Sequence, residues 1–142
     1  MDPLSVTASI IGILAAGAKV VEVLGPIPAA LSGAQSRFNA ISTEVSTCMT
    51  ILSALQDLLT NIGSISSQRR DLIQLDYLIT VFTNGVLLFS ELESLVVRVD
   101  PGNGSVTRKF KSLYHEKDLD FLLTRVQWFK SSMSLLLNIL QW

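Results

Sequence analysis

The 142-residue chain has one cysteine, Cys48, and one histidine, His115. A lone cysteine cannot close an intrachain disulfide, which fits a reducing, cytoplasmic setting. A lone histidine leaves His115 as the only base for a Ser-His-Asp triad. It lies among lysines with no nucleophile motif beside it, so it reads as a structural or surface residue. No Cys or His pair has zinc spacing, and no loop carries carboxylates in a calcium-binding pattern. The expectation is therefore no catalytic residue, no metal and no cofactor. Charge is scarce as well: 16% of residues are charged and the net charge is −1. Bulk electrostatics thus argue against nonspecific nucleic-acid binding. The 4 prolines and 8 glycines cluster, leaving long stretches without a breaker. There is no internal repeat and no low-complexity tail.

What is present is apolar. Hydrophobic residues make up 49% of the chain and its mean hydropathy is +0.45, which is greasy for a single domain of this length. Such a composition implies buried helix faces, or apolar surface that meets a partner. The longest uncharged run opens the chain, from Pro3 to Ala18, and is broken first by Lys19 and Glu22. Asp2 and Pro3 suit a helix start, as cap and first helical residue. On a helical wheel Val6, Ile10, Ile13, Leu14, Val20, Val21 and Leu24 gather on one side. Ser5, Ala8, Ser9, Gly12, Ala15, Ala16 and Lys19 gather on the other. The bulky side suits burial in a bundle. Ala8, Gly12 and Ala16, spaced four apart, suit close helix approach in a bilayer.

Two other readings of this opening fail on its flanks and length. A secretory signal wants a basic start, and only Asp2 and Pro3 precede the run. A constitutive span wants about 20 apolar residues, more than the uncharged run supplies. Gly12 to Lys19, GILAAGAK, superficially imitates a phosphate-binding loop. Ala18 separates Lys19 from the second glycine and Val20 follows it, so the phosphate and magnesium ligands are missing.

Gly25, Pro26 and Pro28 end this first helix and form a hinge candidate. The second helix carries a seam of Phe38, Ile41, Val45, Cys48, Leu52, Leu55, Leu59 and Ile62 in alternating steps of three and four. Its reverse face, with Asn39, Glu44 and Asp57, is expected to be solvated, and Gly63-Ser64 to stop it. Cys48 falls in the seam as a small core residue. A third helix is expected from about Asp71 to Val97, its seam Leu72, Leu75, Ile79, Phe82, Val86, Phe89, Leu92 and Val96. Gly85 within it admits a close neighbour. The run Asp100 to Gly104 is a loop. A short helix capped by Ser105 follows, with Phe110, Leu113 and Tyr114 among Arg108, Lys109, Lys111 and Lys117. Asp118 is expected to cap the last helix, whose seam is Leu119, Leu122, Val126, Phe129, Met133, Leu136 and Leu140. Nothing polar closes the chain after Trp142, so it is expected to continue.

Two of these stretches resemble a known family. The opening MDPLSVTASIIGILAAGAKV and the run KDLDFLLTRVQWFKSSMSLLL, Lys117 to Leu137 with its Lys130-Ser131-Ser132 step, are similar to the fungal N-terminal domain of STAND proteins. That family belongs to the HeLo-like group of helical domains. The resemblance implies a domain placed before nucleotide-binding or repeat modules in immune-type receptors. It also implies killing by self-association and by insertion of the N-terminal segment into membranes. That segment maps here to Leu4, Val6, Ala8, Ile10, Ile11, Gly12, Ile13, Leu14, Ala16, Val20, Val21 and Leu24. Lys19 and Glu22, near its end, pair at i, i+3 or reach back to the headgroups.

The expected fold is an all-α, up-and-down bundle of four long helices and one short one. It is a single domain over 1–142, with the first helix at 3–24, the hinge at 25–28 and the bundle at 29–142. The expected function is non-enzymatic: a cytoplasmic signalling module, peripheral at the plasma membrane when activated. Its partners are its own copies, anionic lipids met through Arg108, Lys109, Lys111 and Lys117, and downstream modules, with no nucleic acid. The alternative is an adaptor bundle that binds only protein.

Overall fold

A computed structural model describes residues 3–24, 32–61, 75–98 and 116–141. They form four α-helices: α1 (Pro3–Leu24), α2 (Ser32–Thr60), α3 (Leu75–Arg98) and α4 (Glu116–Gln141). There is no strand among the described residues. The all-α bundle read from the heptads is therefore the observed class. Residues 1–2, with the expected Asp2 cap, and 25–31, 62–74, 99–115 and 142 lie outside the described residues. With them go the hinge Gly25-Pro26-Pro28, Ile62, the Gly63-Ser64 stop, Leu72, the short helix, His115, Arg108, Lys109 and Lys111.

Each helix buries one stripe into a shared core. From α2 come Phe38, Ile41, Val45, Cys48, Leu52 and Leu55, with Leu59 half-buried at the end. From α4 come Leu119, Leu122, Val126, Phe129, Met133, Leu136 and Leu140, the full predicted seam. α1 buries Val6, Ile10, Ile13, Val20 and Leu24, while Leu14 and Val21 lean against the same core.

α1 and α2 pack together, as do α1 and α3, α2 and α4, and α3 and α4. The remaining pairs, α1 with α4 and α2 with α3, barely touch and so lie across the diagonals. Arg37 reaches Asp120, and Cys48 reaches Val126, so α2 and α4 run the same way. Arg125 meets Glu91 while Phe129 meets Phe89, so α3 and α4 run oppositely. Helix directions thus alternate along the chain. α2 and α3, consecutive in the chain, stand on a diagonal of the bundle and are not packed neighbours.

Several expectations need correction. Val86, assigned to the α3 seam, is 43% exposed, and Ile79 is only half-buried. α3 packs against two neighbours, and it buries a second row, Val81, Leu88 and Leu95, beside Phe82, Phe89, Leu92 and Val96. Ala16, placed on the small outer side of α1, is buried. Glu44, expected in solvent, is partly buried, and Lys130 Nζ stands 2.6 Å from its Oε2. That carboxylate oxygen is itself buried, and the ammonium, within hydrogen-bonding distance, is what offsets its charge. Lys19 pairs with Glu93 of α3 at 3.8 Å rather than with Glu22. Both side chains are about half exposed, so the pair contributes at most about 1 kcal/mol. α4 begins at Glu116, which puts Asp118 inside its first turn and not at the cap. α2 already ends at Thr60, and Asn61 closes back on the Asp57 carbonyl through both its backbone N and its Nδ2.

The glycines divide by what surrounds them. A Cβ at Gly85 would lie 2.8 Å from Phe129 Cζ and closer still to Cε2. Gly85 therefore lets the Phe129 ring press onto the α3 backbone, where it stacks edge-on with Phe89 at 5.7 Å. A Cβ at Gly17 would lie 3.0 Å from Met49 Sδ and 3.3 Å from Phe89 Cε1, so this is the close-approach glycine of α1. At Gly12 nothing stands within 4 Å.

Cys48 is fully buried, and its Sγ points to the Val126 carbonyl at 3.8 Å. Burial, reinforced by the Glu44 carboxylate and opposed by Lys130, pushes its thiol from the ordinary 9.0 up to about 12. The folded thiol therefore holds its proton where the unfolded one ionises. Stability from this group is fully present below pH 9 and falls as pH rises from 9 toward 12. Native protein should resist a thiol-specific chromophoric reagent at pH 8 and react fully once unfolded. Rapid labelling of the native protein would place Cys48 outside the core.

Candidate functional site

Among the described residues no group of three or more His, Cys, Asp or Glu could hold a metal ion. The surface instead offers two apolar features, one on α1 and one between α3 and α4.

The α1 feature is the outer side of the opening helix. Ala8, Ile11, Gly12, Ala15 and Ala18 are exposed, Ile11 at 54%. Beside them a shallow groove of about 460 Å³ runs between Ala8, Gly12 and Ala16 on α1 and Val86, Ser90 and Glu93 on α3. The groove exists because Ala and Gly leave room where larger residues would meet α3. Val6–Leu24 is long and apolar enough to cross a membrane, and so is Tyr77–Val96 on α3. Core helices of soluble proteins can meet the same measure. Of the predicted inserting residues, Val6, Ile10, Ile13, Ala16, Val20 and Leu24 face the core, while Ala8, Ile11 and Gly12 face out. Leu4 lies in the first turn of α1. The predicted inserting segment is thus split between the bundle seam and solvent. Of the predicted headgroup contacts, Lys117 is described and is exposed on the first turn of α4.

The second feature was not anticipated. Between α3 and α4 an open groove of about 480 Å³ is lined by Val81, Leu87, Leu88, Phe121, Trp128 and Phe129, with Asn84, Thr124 and Ser132 as polar points. Trp128 is 75% exposed, Phe121 63% and Leu87 57%. Arg125 bridges to Glu91 across the groove, and its guanidinium lies 5.6 Å from the Phe121 ring centroid. Beyond that tie the depression continues past Ser90, Ser94 and Asp118. A signal for it stood in the sequence. Phe121, Trp128 and Leu135 are spaced by seven, a second apolar row beside the buried seam, and all three are exposed.

Fold and surface together define, among the described residues, a four-helix bundle with two exposed apolar faces and a buried thiol. No protein-family model matches the chain, and no curated protein or solved structure matches it either.

Proposed function

We propose that the protein is a non-enzymatic signalling and effector domain of the HeLo-like, fungal STAND type that its opening resembles. In this reading it acts in the cytoplasm by self-association and reaches anionic membranes through α1, ahead of nucleotide-binding or repeat modules. The observation that carries the reading is α1 itself. Its outer face is apolar and small, it bears no charge from Pro3 to Ala18, and the helix is long enough to span. Insertion would require the buried row Val6, Ile10, Ile13, Val20 and Leu24 to leave the core. An activating event must therefore first loosen α1, because that row is held by burial. The test is co-sedimentation with anionic vesicles together with release of trapped dye. Binding with leakage supports the reading, and neither at any protein concentration rejects it.

Arg108, Lys109, Lys111 and Lys117 supply the expected headgroup attraction, at about 1 kcal/mol per basic side chain near an anionic surface. Replacing Arg108, Lys109 and Lys111 by Gln should weaken vesicle binding and flatten its salt dependence. Unchanged binding would return the cluster to ordinary solvated surface.

The adaptor reading, protein contacts without lipid, is favoured by one observation, the α3–α4 groove with its exposed Trp128. It predicts no vesicle binding at all.

A further inference from the structure

The row Phe121, Trp128 and Leu135 has the spacing by which one helix packs along another, yet no helix of the described chain covers it. We propose that its occupant is the same row of a second copy, giving a two-fold dimer in which the two α4 helices cross antiparallel at Trp128.

Three observations select a second copy. The first is shape. Trp128 is the midpoint of the row, so antiparallel pairing sets Trp128 beside its counterpart and each Phe121 against the other copy's Leu135. The face also carries projecting side chains next to a recess, which is what an isologous contact needs on one surface.

The second is charge. Pairing about residue 128 places Arg125 opposite the other copy's Ser131, and Asp118 opposite its Asn138. A parallel arrangement would instead set Arg125 against Arg125 and Asp118 against Asp118. Arg125 is already bridged to Glu91 within its own chain, so the centre of the face presents no net charge to its copy.

The third is area. At 63% and 75% exposure, Phe121 and Trp128 leave roughly 300 Å² of aromatic surface open, and Leu87 and Leu135 enlarge it. A stable dimer buries about 800 Å² per partner, somewhat over half of it apolar. The row from Phe121 to Leu135 spans about 20 Å of helix and forms the apolar centre of such a contact, with Asn84, Thr124, Arg125 and Ser132 of the groove as its polar surround. Aromatic anchors at the centre of such a patch are where binding energy concentrates.

The inference specifies the partner surface for the self-association proposed above, but it requires no membrane and no movement of α1. The test is therefore run without lipid. Sedimentation velocity over a wide concentration range should show the 15.5-kDa chain associating to twice that mass. Trp128→Asp and Leu87→Asp should each weaken the dimer by tenfold or more while helix content by circular dichroism stays at the parental value. Both side chains are mostly exposed, so neither change opens the core.

Register is read by mixing Thr124→Cys with Ser132→Cys under mild oxidation. Antiparallel pairing brings these two positions together across the axis, and Cys48 is shielded. A mixed disulfide is expected, with little crosslinking of either variant alone. A parent that stays monomeric overturns the proposal, and so does a dimer unaffected by both substitutions. A monomer that loses vesicle binding on Trp128→Asp would assign the face to lipid and also overturn it. Failure of the dimer leaves dye release by α1 untouched, so the two readings fall separately.

Discussion

Leu52→Ala and Leu136→Ala are each expected to lower the free energy of unfolding by about 2–5 kcal/mol, measured by urea denaturation. Leu52 is 0% exposed and Leu136 is 1% exposed, each in the row its helix turns to the core. Truncation removes buried methyl groups and leaves a cavity that rigid neighbouring helices fill only in part. The control is one residue away. Leu135 is 51% exposed, so Leu135→Ala should change monomer stability by no more than about 0.5 kcal/mol. A domain of this kind is stable by only about 5–15 kcal/mol, so the larger loss is readily seen. Equal effects at positions 135 and 136 would mean that the register of α4 is wrong.

Gly12→Leu is expected to separate packing from function. Nothing lies within 4 Å of a Cβ there, so the bundle accepts the side chain. Helix propensity then favours the variant by up to about 1 kcal/mol, and the melting temperature should rise slightly. Gly17→Leu should do the opposite. Its Cβ already meets Met49 and Phe89 at 3.0 and 3.3 Å, and the remaining carbons have to displace a buried aromatic ring. Overpacking of that kind costs about 1–3 kcal/mol.

On membranes the outcome turns on the small residues of α1, of which Ala8 and Gly12 face out of the bundle and Ala16 is buried in it. If Ala8, Gly12 and Ala16 let inserted helices approach, a leucine at position 12 holds them apart. Gly12→Leu protein should then bind vesicles as the parent does but fail to release trapped dye. Leakage at the parental rate would reject small-face assembly and leave α1 as an anchor. Vesicles loaded at equal protein concentration, with the parent run alongside, make the comparison direct.

How much was legible in the sequence depended on how many rows each helix buries. α4 and α2 turn one seven-residue row to the core, and a single repeat is what the spacing of Leu119 to Leu140 and of Phe38 to Leu55 encodes. Burial follows because a row at that spacing stays on one side of a helix over several turns. α3 buries two rows, Val81, Leu88 and Leu95 beside Phe82, Phe89, Leu92 and Val96. A search for one row took Val86 and missed Val81, Leu88 and Leu95. The same limit hid Gly17. It lies four residues after Ile13 and three before Val20, in step with the buried row of α1, but its role depends on Met49 and Phe89 from two other helices.

The local sequence by itself determined that the described segments are helical, where those helices run to within a few residues, and which row of α2 and α4 is apolar. Those outcomes depend on propensity and periodicity, which act over a turn or two. Which helices become neighbours, that Lys19 answers Glu93 and Lys130 answers Glu44, and that the row Phe121, Trp128, Leu135 is left open were decided by tertiary packing alone. Apolar rows at positions 121 and 122 look equally fit for burial along the sequence. Only one of them can face α2 and the core, and the angle at which α4 settles against α2 and α3 selects it.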